Sequence, residues 1–164
     1  PRARPEPAAR WLLYASGVVA LVLTIVPLPP LLALARPAWL ALVLIYWAMF
    51  APRQTGLAVA FVGGLLLDTL YQTPLGEHAL ALVLTMYLPL KFHLQLRVFP
   101  WHRLTATVLG LLIVYEFVLF WINGIAGLTT SPADYWLPVV TGTVIWPLIF
   151  LLLDAVRLRA GATT

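Results

Sequence analysis

Long apolar segments, separated by short polar or proline-rich connections, make up almost the whole chain. Hydrophobic residues fill 62% of the 164 positions and charged residues only 10%, whereas about 25% of the residues of an average soluble domain are charged. The mean hydropathy is +0.95. So little polar sequence remains that a water-exposed surface could not be built from it. The pattern therefore predicts an all-α integral membrane protein without a soluble domain.

The apolar segments predict a single domain of six transmembrane helices. Their approximate limits are residues 11–28, 34–51, 55–72, 77–94, 103–123 and 135–156, with tails at residues 1–10 and 157–164. The apolar part of the second segment would cover only roughly 21 Å of a hydrocarbon core about 30 Å thick. We expect that helix either to start near Leu31 or to lie in a locally thinned bilayer. A secretory signal peptide cleaved after Ala35 is a less favoured alternative for the first segment.

The basic residues predict the orientation. If the N-terminus lies inside the cell, nine of the ten fall on the inner side: Arg2, Arg4, Arg10, Arg53, Lys91, Arg97, Arg103, Arg157 and Arg159. Only Arg36 then lies in an outer loop. Because cytoplasmic loops carry an excess of Lys and Arg, the bias predicts that both termini are cytoplasmic. It also accounts for the net charge of +4 without nucleic acid as a partner.

Residues 55–80 carry the most distinctive local pattern. Three small residues recur at every fourth position and lead to a carboxylate: Gly56, Ala60, Gly64 and Asp68. This spacing puts them on one helical ridge, which another helix can approach closely. That helix can belong to a partner or to the protein itself, and internal packing is the commoner use. Asp68 is equally compatible with a functional or partner contact and with a bond to the turn backbone of residues 72–76.

A second polar pattern lies on the fifth segment. Four residues recur there at intervals of seven: His102, Leu109, Glu116 and Asn123. Counted along the helices, Asp68 and Glu116 both lie roughly 20 Å from the inner ends. Because ionised carboxylates in lipid are costly, we predict an intramembrane polar site of Asp68, Glu116 and Asn123. His78 is expected either to cap the fourth helix, which is the commoner outcome, or to pair with Asp68.

Several classes of chemistry lack their residues. The chain has no cysteine and three histidines, which do not stand at the spacing of metal ligands on a helix. Ser16 and Ser131 are not in a Gly-x-Ser-x-Gly elbow, and no glycine-rich phosphate loop with Lys occurs. The sequence therefore predicts a protein that is not an enzyme and that has no cofactor.

The stretch LLLDTLYQTPLGEHAL resembles the MreD family of bacterial rod shape-determining membrane proteins. The residues that match the family pattern are Gly64, Asp68, Leu70, Leu75 and Gly76. The preceding RPAWLALVLIYWAMFAPRQTGL is also similar to the family's second helix and the entry to its third.

This resemblance implies a non-enzymatic component of the cell-elongation machinery in the bacterial inner membrane. It implies binding to the transmembrane helix and juxtamembrane segment of MreC, and an indirect link to MreB, RodA, penicillin-binding protein 2 and lateral peptidoglycan synthesis. Candidate contacts are Gly56, Ala60, Gly64, Asp68, Leu75 and Gly76, while Arg97 and Arg103 would face cytoplasmic partners or anionic lipid.

The resemblance also implies a bundle similar to the substrate-binding S components of energy-coupling-factor vitamin transporters. Such a subunit is the alternative function. It would need an outer cavity, for which the available residues are Glu116, Asn123, Trp121 and Trp136.

Overall fold

The computed structural model describes residues 7–128 and 131–160, in which the regular secondary structure is entirely helical. The helices in these ranges are α1 (Pro7–Ile25), α2 (Pro30–Ala33), α3 (Trp39–Phe50), α4 (Pro52–Thr55), α5 (Leu57–Tyr71), α6 (Glu77–Lys91), α7 (His93–Arg97), α8 (Trp101–Ile125) and α9 (Pro132–Arg159). The prediction of an all-α protein is confirmed.

The six longest of these helices correspond to the six apolar segments. Within the described residues, three are long and apolar enough to cross a membrane: Ala8–Ile25, Trp101–Ile125 and Tyr135–Arg159. Helices α3, α5 and α6 have 12, 15 and 15 residues, and 15 residues rise only about 22 Å. Many large apolar side chains of the long helices point outwards, as in a membrane protein. Six crossings and cytoplasmic termini remain predictions.

The second apolar segment is not one continuous helix. Helix α3 begins at Trp39, so the expectation that it starts near Leu31 is wrong. Proline has no N–H to donate and disfavours helical geometry in the residue before it, and Pro37 therefore separates α3 from the short α2. Location of α3 in a thinned bilayer remains a prediction.

Helix α3 is the centre of the bundle. All ten residues from Leu40 to Met49 are buried, because α1, α6, α7 and α9 pack around the helix. A cluster of aromatic rings from α3 and α9 lies at its C-terminal end: Tyr46, Phe50, Trp146 and Phe150. A helix that is apolar on all sides is expected in such a position.

The C-terminal carbonyl oxygens of α3, which have no partners within their own helix, are bound by a side chain. Arg97 donates from Nε to Met49 O at 2.6 Å and from Nη2 to Phe50 O at 2.9 Å. Burial, followed by the nearby Arg157 guanidinium, lowers the pKa of Arg97. Arg97 therefore holds α7 against α3 and stabilises the end of the buried helix.

Candidate functional site

Asp68 lies at the contact between α5 and α6 and is almost completely buried. Its Oδ1 accepts a hydrogen bond from the backbone N–H of His78 at 2.8 Å and lies 2.9 Å from His78 Nδ1. Its Oδ2 accepts a hydrogen bond from the N–H of Gly76 at 2.7 Å. The first N–H groups of a helix have no partners within it, and a negative charge is favourable there. Asp68 therefore caps the start of α6, which Gly76 cannot do because it has no side chain.

The turn between α5 and α6 is shaped to bring these groups together. Gln72 adopts a left-handed conformation with φ of 56° and ends α5. Gly76 has φ of 102°, which glycine adopts at little cost. The Thr73 hydroxyl adds a contact of 3.3 Å to Asp68 Oδ1. The expected bond from Asp68 to the turn backbone is therefore present at Gly76, and of the two expectations for His78, pairing with Asp68 is confirmed.

The ridge of small residues faces α6 of the same chain. A Cβ atom on Gly64 would lie 2.2 Å from Ala79 Cα and 2.4 Å from Ala79 N, and Ala60 is fully buried. The close approach predicted for this ridge is thus made within the protein at Gly64. Gly56 is half-buried and Leu75 is 76% exposed, so these two candidate contacts stay accessible. A role of the ridge in partner binding remains a prediction.

A cavity of about 480 Å³, here called the Glu116 cavity, lies between α6, α8 and the connection from α1 to α3. Glu77, Glu116 and Asn123 line it, and Asn123 Nδ2 donates to Glu77 Oε1 at 2.6 Å. Asp68 does not line the cavity, although its partner His78 does. The structure therefore brings together two of the three residues predicted for the polar site, with Glu77 beside them.

The two carboxylates of the Glu116 cavity are buried and incompletely bonded. Glu77 is 4% exposed and Glu116 is 7% exposed. Oε2 of Glu77 has no hydrogen-bond partner among the described residues. In the same part of the chain, no hydrogen bond or ion pair to the Glu116 carboxyl is present, since the ion pairs found there are Asp68–His78 and Asp154–Arg157.

Arg36 lies at the edge of the same cavity. Its guanidinium donates to the carbonyl oxygens of Thr24 and, at 2.7 Å, Val26 at the end of α1. These are helix C-terminal groups that lack partners in α1. The one basic residue predicted for the outer side thus has a structural use there. Its Nε is buried and has no partner among the described residues.

Sequence reasoning missed Glu77 as part of the polar site. Glu77 is the first residue of the predicted segment 77–94, and nothing in its spacing points to Asn123, 46 residues later. It also missed Asp154, which pairs with Arg157 at 2.6 Å and accepts from the Tyr46 hydroxyl at 3.0 Å. The i, i+3 spacing of Asp154 and Arg157 was a usable signal.

Two apolar grooves lie on the outside of the bundle. The α1–α5 groove, of about 360 Å³, is lined by Leu13, Tyr14, Gly17, Val18, Leu21, Leu40, Leu44, Ala58, Val59, Val62, Gly63 and Leu66. The α6–α8 groove, of about 460 Å³, is lined by Leu88, Pro89, Phe92, Gln95, Leu96, Phe99, Thr107, Gly110, Leu111 and Val114. Both contain glycine, at which a helix or a lipid chain can come close.

The described residues contain no group of three or more metal-ligating side chains. The chain nevertheless resembles known proteins over almost its full length. Residues 7–156 match the model of the family described as rod shape-determining protein MreD. A rod shape-determining protein MreD from Haemophilus influenzae is 31% identical over 145 residues, which cover 85% of this chain and 86% of the relative. No solved structure matches the chain, so the likeness to S components stays a prediction.

Proposed function

The chain belongs to the MreD family of rod shape-determining proteins, and from this premise we propose that it is a non-enzymatic inner-membrane scaffold of bacterial cell elongation that binds MreC. The observation that carries the proposal is the family match over residues 7–156. The relative from Haemophilus influenzae bears the family's name and aligns with this chain over 86% of its own length. Through MreC, the protein would act on MreB, RodA and penicillin-binding protein 2 and so on lateral peptidoglycan synthesis.

A scaffold in the membrane must offer a surface to the transmembrane helix of its partner. Helix association in lipid depends on close packing at small residues. Because Gly64 and Asp68 contact α6 and Ala60 is buried, we place the contact on the neighbouring α1–α5 groove. Gly17 of α1 and Gly63 of α5 line that groove. A Cβ atom on Gly17 would meet no heavy atom within 4 Å, so this position is open to an incoming helix.

We also propose contacts with MreC near the two ends of α5. Gly56 at the start of α5 and Leu75 in the turn after it would contact MreC outside the hydrocarbon core. On the cytoplasmic side Arg97 is already bonded to α3, whereas Arg103 is exposed. Arg103 is therefore the better of the two for cytoplasmic partners or anionic lipid.

The test compares Gly17→Leu with Gly110→Leu. Both glycines lie in helices, and neither would bring a Cβ atom within 4 Å of another group. They line different grooves, so each is the matched control of the other. Tagged protein would be co-expressed with MreC from the same genome, purified in mild detergent and assayed for MreC by quantitative mass spectrometry.

We expect Gly17→Leu to lower MreC recovery at least tenfold and to give wide or spherical cells when it replaces the native protein. Gly110→Leu should leave both recovery and cell width unchanged. If neither variant changes recovery, the groove assignment is wrong. If wild-type protein recovers no MreC and restores rod shape nonetheless, direct binding of MreC is wrong.

The alternative, a vitamin transporter subunit, is favoured by one feature, the Glu116 cavity. Two of its four expected residues, Glu116 and Asn123, line that cavity. Trp121 and Trp136 are exposed and are not part of the lining. Recovery of transporter ATPase subunits or a vitamin with the purified protein, in place of MreC, would favour this alternative.

A further inference from the structure

The Glu116 cavity contains hydrogen-bonding capacity that the protein does not fill. Buried polar groups in proteins are nearly always bonded, because an unbonded one costs about 1–3 kcal/mol and a charged one more. Glu77 Oε2 has no hydrogen-bond partner among the described residues, and neither has Arg36 Nε. Within the ranges 7–128 and 131–160, the Glu116 carboxyl group has no hydrogen-bond partner either. Two tyrosines, Tyr71 and Tyr115, also line the cavity. An occupant with both donors and acceptors would complete these bonds.

The charges of the cavity indicate the kind of occupant. Glu77 and Glu116 contribute two carboxylates and Arg36 one guanidinium, while His78 is taken up by Asp68. An occupant therefore needs a cationic group for the carboxylates and tolerates an anionic group near Arg36. Glu116 and Asn123 are seven residues apart on α8, about 10 Å along its axis. Asn123 donates to Glu77, so the two carboxylates lie at different positions along the cavity.

Part of the remaining wall of the cavity is apolar. Leu34, Leu67, Leu119 and Pro138 line it, and the outer sides of the surrounding long helices are apolar as well. An amphiphile would match this combination, with its polar part among the charged groups and its chains along the helices. A free inorganic cation would leave both Arg36 Nε and the apolar wall without a contact.

We propose that the Glu116 cavity binds the head group of an aminophospholipid, with its primary ammonium at Glu116 and its phosphate at Arg36. The ammonium donates a hydrogen bond to the Glu116 carboxylate, and a hydrogen bond between two charged groups is stronger than one between neutral groups. The phosphate accepts from the guanidinium, which is suited to it. The bound lipid would thereby join α1 and α8 around one head group.

The test measures lipid binding to the purified, delipidated full chain by native mass spectrometry. The probes are phosphatidylethanolamine, phosphatidylcholine, whose ammonium carries no N–H, and phosphatidylglycerol, which has no cation. We expect phosphatidylethanolamine to bind at least tenfold more tightly than either of the others. Equal binding of the three lipids would overturn the proposal.

Glu116→Gln is the decisive variant, because it keeps the size of the side chain and breaks no described hydrogen bond. We expect it to weaken phosphatidylethanolamine binding about tenfold, which is the effect of losing one charge-assisted hydrogen bond. Glu77→Gln should act in the same direction, and Asp154→Asn, the matched change outside the cavity, should have no effect. Thermal unfolding of each variant shows that it is folded. Unchanged binding by folded Glu116→Gln would refute the assignment.

Two further measurements separate the sources of the ligand. If soluble phosphoethanolamine displaces the lipid and binds as tightly, the head-group chemistry is right and the source is a soluble compound. If it does not compete at millimolar concentration, the source is the lipid. Carbodiimide cross-linking of Glu116 to a lysine of a co-purified protein would overturn the proposal, since a partner's basic side chain would then fill the cavity.

Discussion

Gly64→Ala is the smallest change that tests how α5 and α6 meet. The added Cβ atom would lie 2.2 Å from Ala79 Cα, 2.4 Å from Ala79 N and 2.7 Å from the carbonyl carbon of His78. All three are backbone atoms, so no side-chain rotation removes the overlap. Ordinary carbon–carbon contacts lie at about 3.5–4.0 Å. The two helices must therefore separate by more than about 1 Å.

The expected loss of stability follows from two opposing effects. Inserting a methyl group into a packed interior costs typically 1–3 kcal/mol, and rigid backbone on the opposite side puts Gly64→Ala near the upper limit. Replacing glycine by alanine in a helix returns about 1 kcal/mol. The net loss is about 2 kcal/mol, which lowers the melting temperature of a chain of this size by roughly 4–8 °C. Separation of the helices also stretches the bonds of Asp68, so the loss is not smaller than this.

Gly63→Ala is the matched control on the same helix. The nearest atoms to its Cβ atom would be side-chain atoms of Leu40 and Leu44, the nearest being Leu40 Cδ2 at 3.1 Å, and a leucine methyl group can move. We expect its melting temperature to stay within about 2 °C of the wild type or to rise. The assay is thermal unfolding in detergent, followed by the fluorescence of the seven tryptophans. If Gly64→Ala melts like the wild type, the contact between α5 and α6 is not as described.

Three other changes test different parts of the structure. Asp68→Ala removes the cap of α6 and should destabilise the protein by about 2–4 kcal/mol, and Asp68→Asn should destabilise it less. If Asp68→Ala has the melting temperature of the wild type and preserves MreC recovery and rod shape, neither the cap nor a partner role of Asp68 is supported. Arg97→Lys keeps the charge but cannot form both bonds to α3, so thermal unfolding should show a loss of about 1 kcal/mol, and no loss would contradict the bidentate contact. Because the chain has no cysteine, Leu75→Cys and Gln95→Cys test its orientation: in intact cells an impermeant maleimide should label only Leu75→Cys, and the reverse pattern would refute cytoplasmic termini.

The positions of the helices could be predicted because residues close to each helix end determine where the helix stops or starts. Proline-rich residues 27–30 follow the end of α1, and Pro52 follows the end of α3. Gly76 ends the turn from which α6 starts, and four-residue spacing placed Gly64 and Asp68 on one ridge. These signals act over a few residues, so the sequence alone is enough to read them. The prediction that α3 starts near Leu31 was wrong, because it was based on the length of the apolar segment and gave too little weight to Pro37.

The neighbours of each helix could not be predicted in the same way. A helix that is apolar on every side has no preferred face, which is the case for α3 with its ten consecutive buried residues. The bond between Glu77 and Asn123 joins α6 to α8, and that between Arg97 and Met49 joins α7 to α3. Each depends on a packing arrangement that periodicity does not encode. The cavity and the grooves share this origin.

A lone charged residue in an apolar sequence is by default a candidate for a functional role. In this chain, the hydrogen bonds of each charged side chain show whether it already has a structural role. Asp68 has both oxygens occupied by the start of α6 and by His78, and Arg97 is bonded to the end of α3. Asp68 thus binds the start of α6, and Arg97 binds the end of α3. Glu77 and Glu116 differ, because the described residues leave bonding capacity on both. In a membrane bundle the buried charge whose bonds are incomplete is therefore the one to test for a ligand, ahead of the charge that is merely the most conspicuous in the sequence.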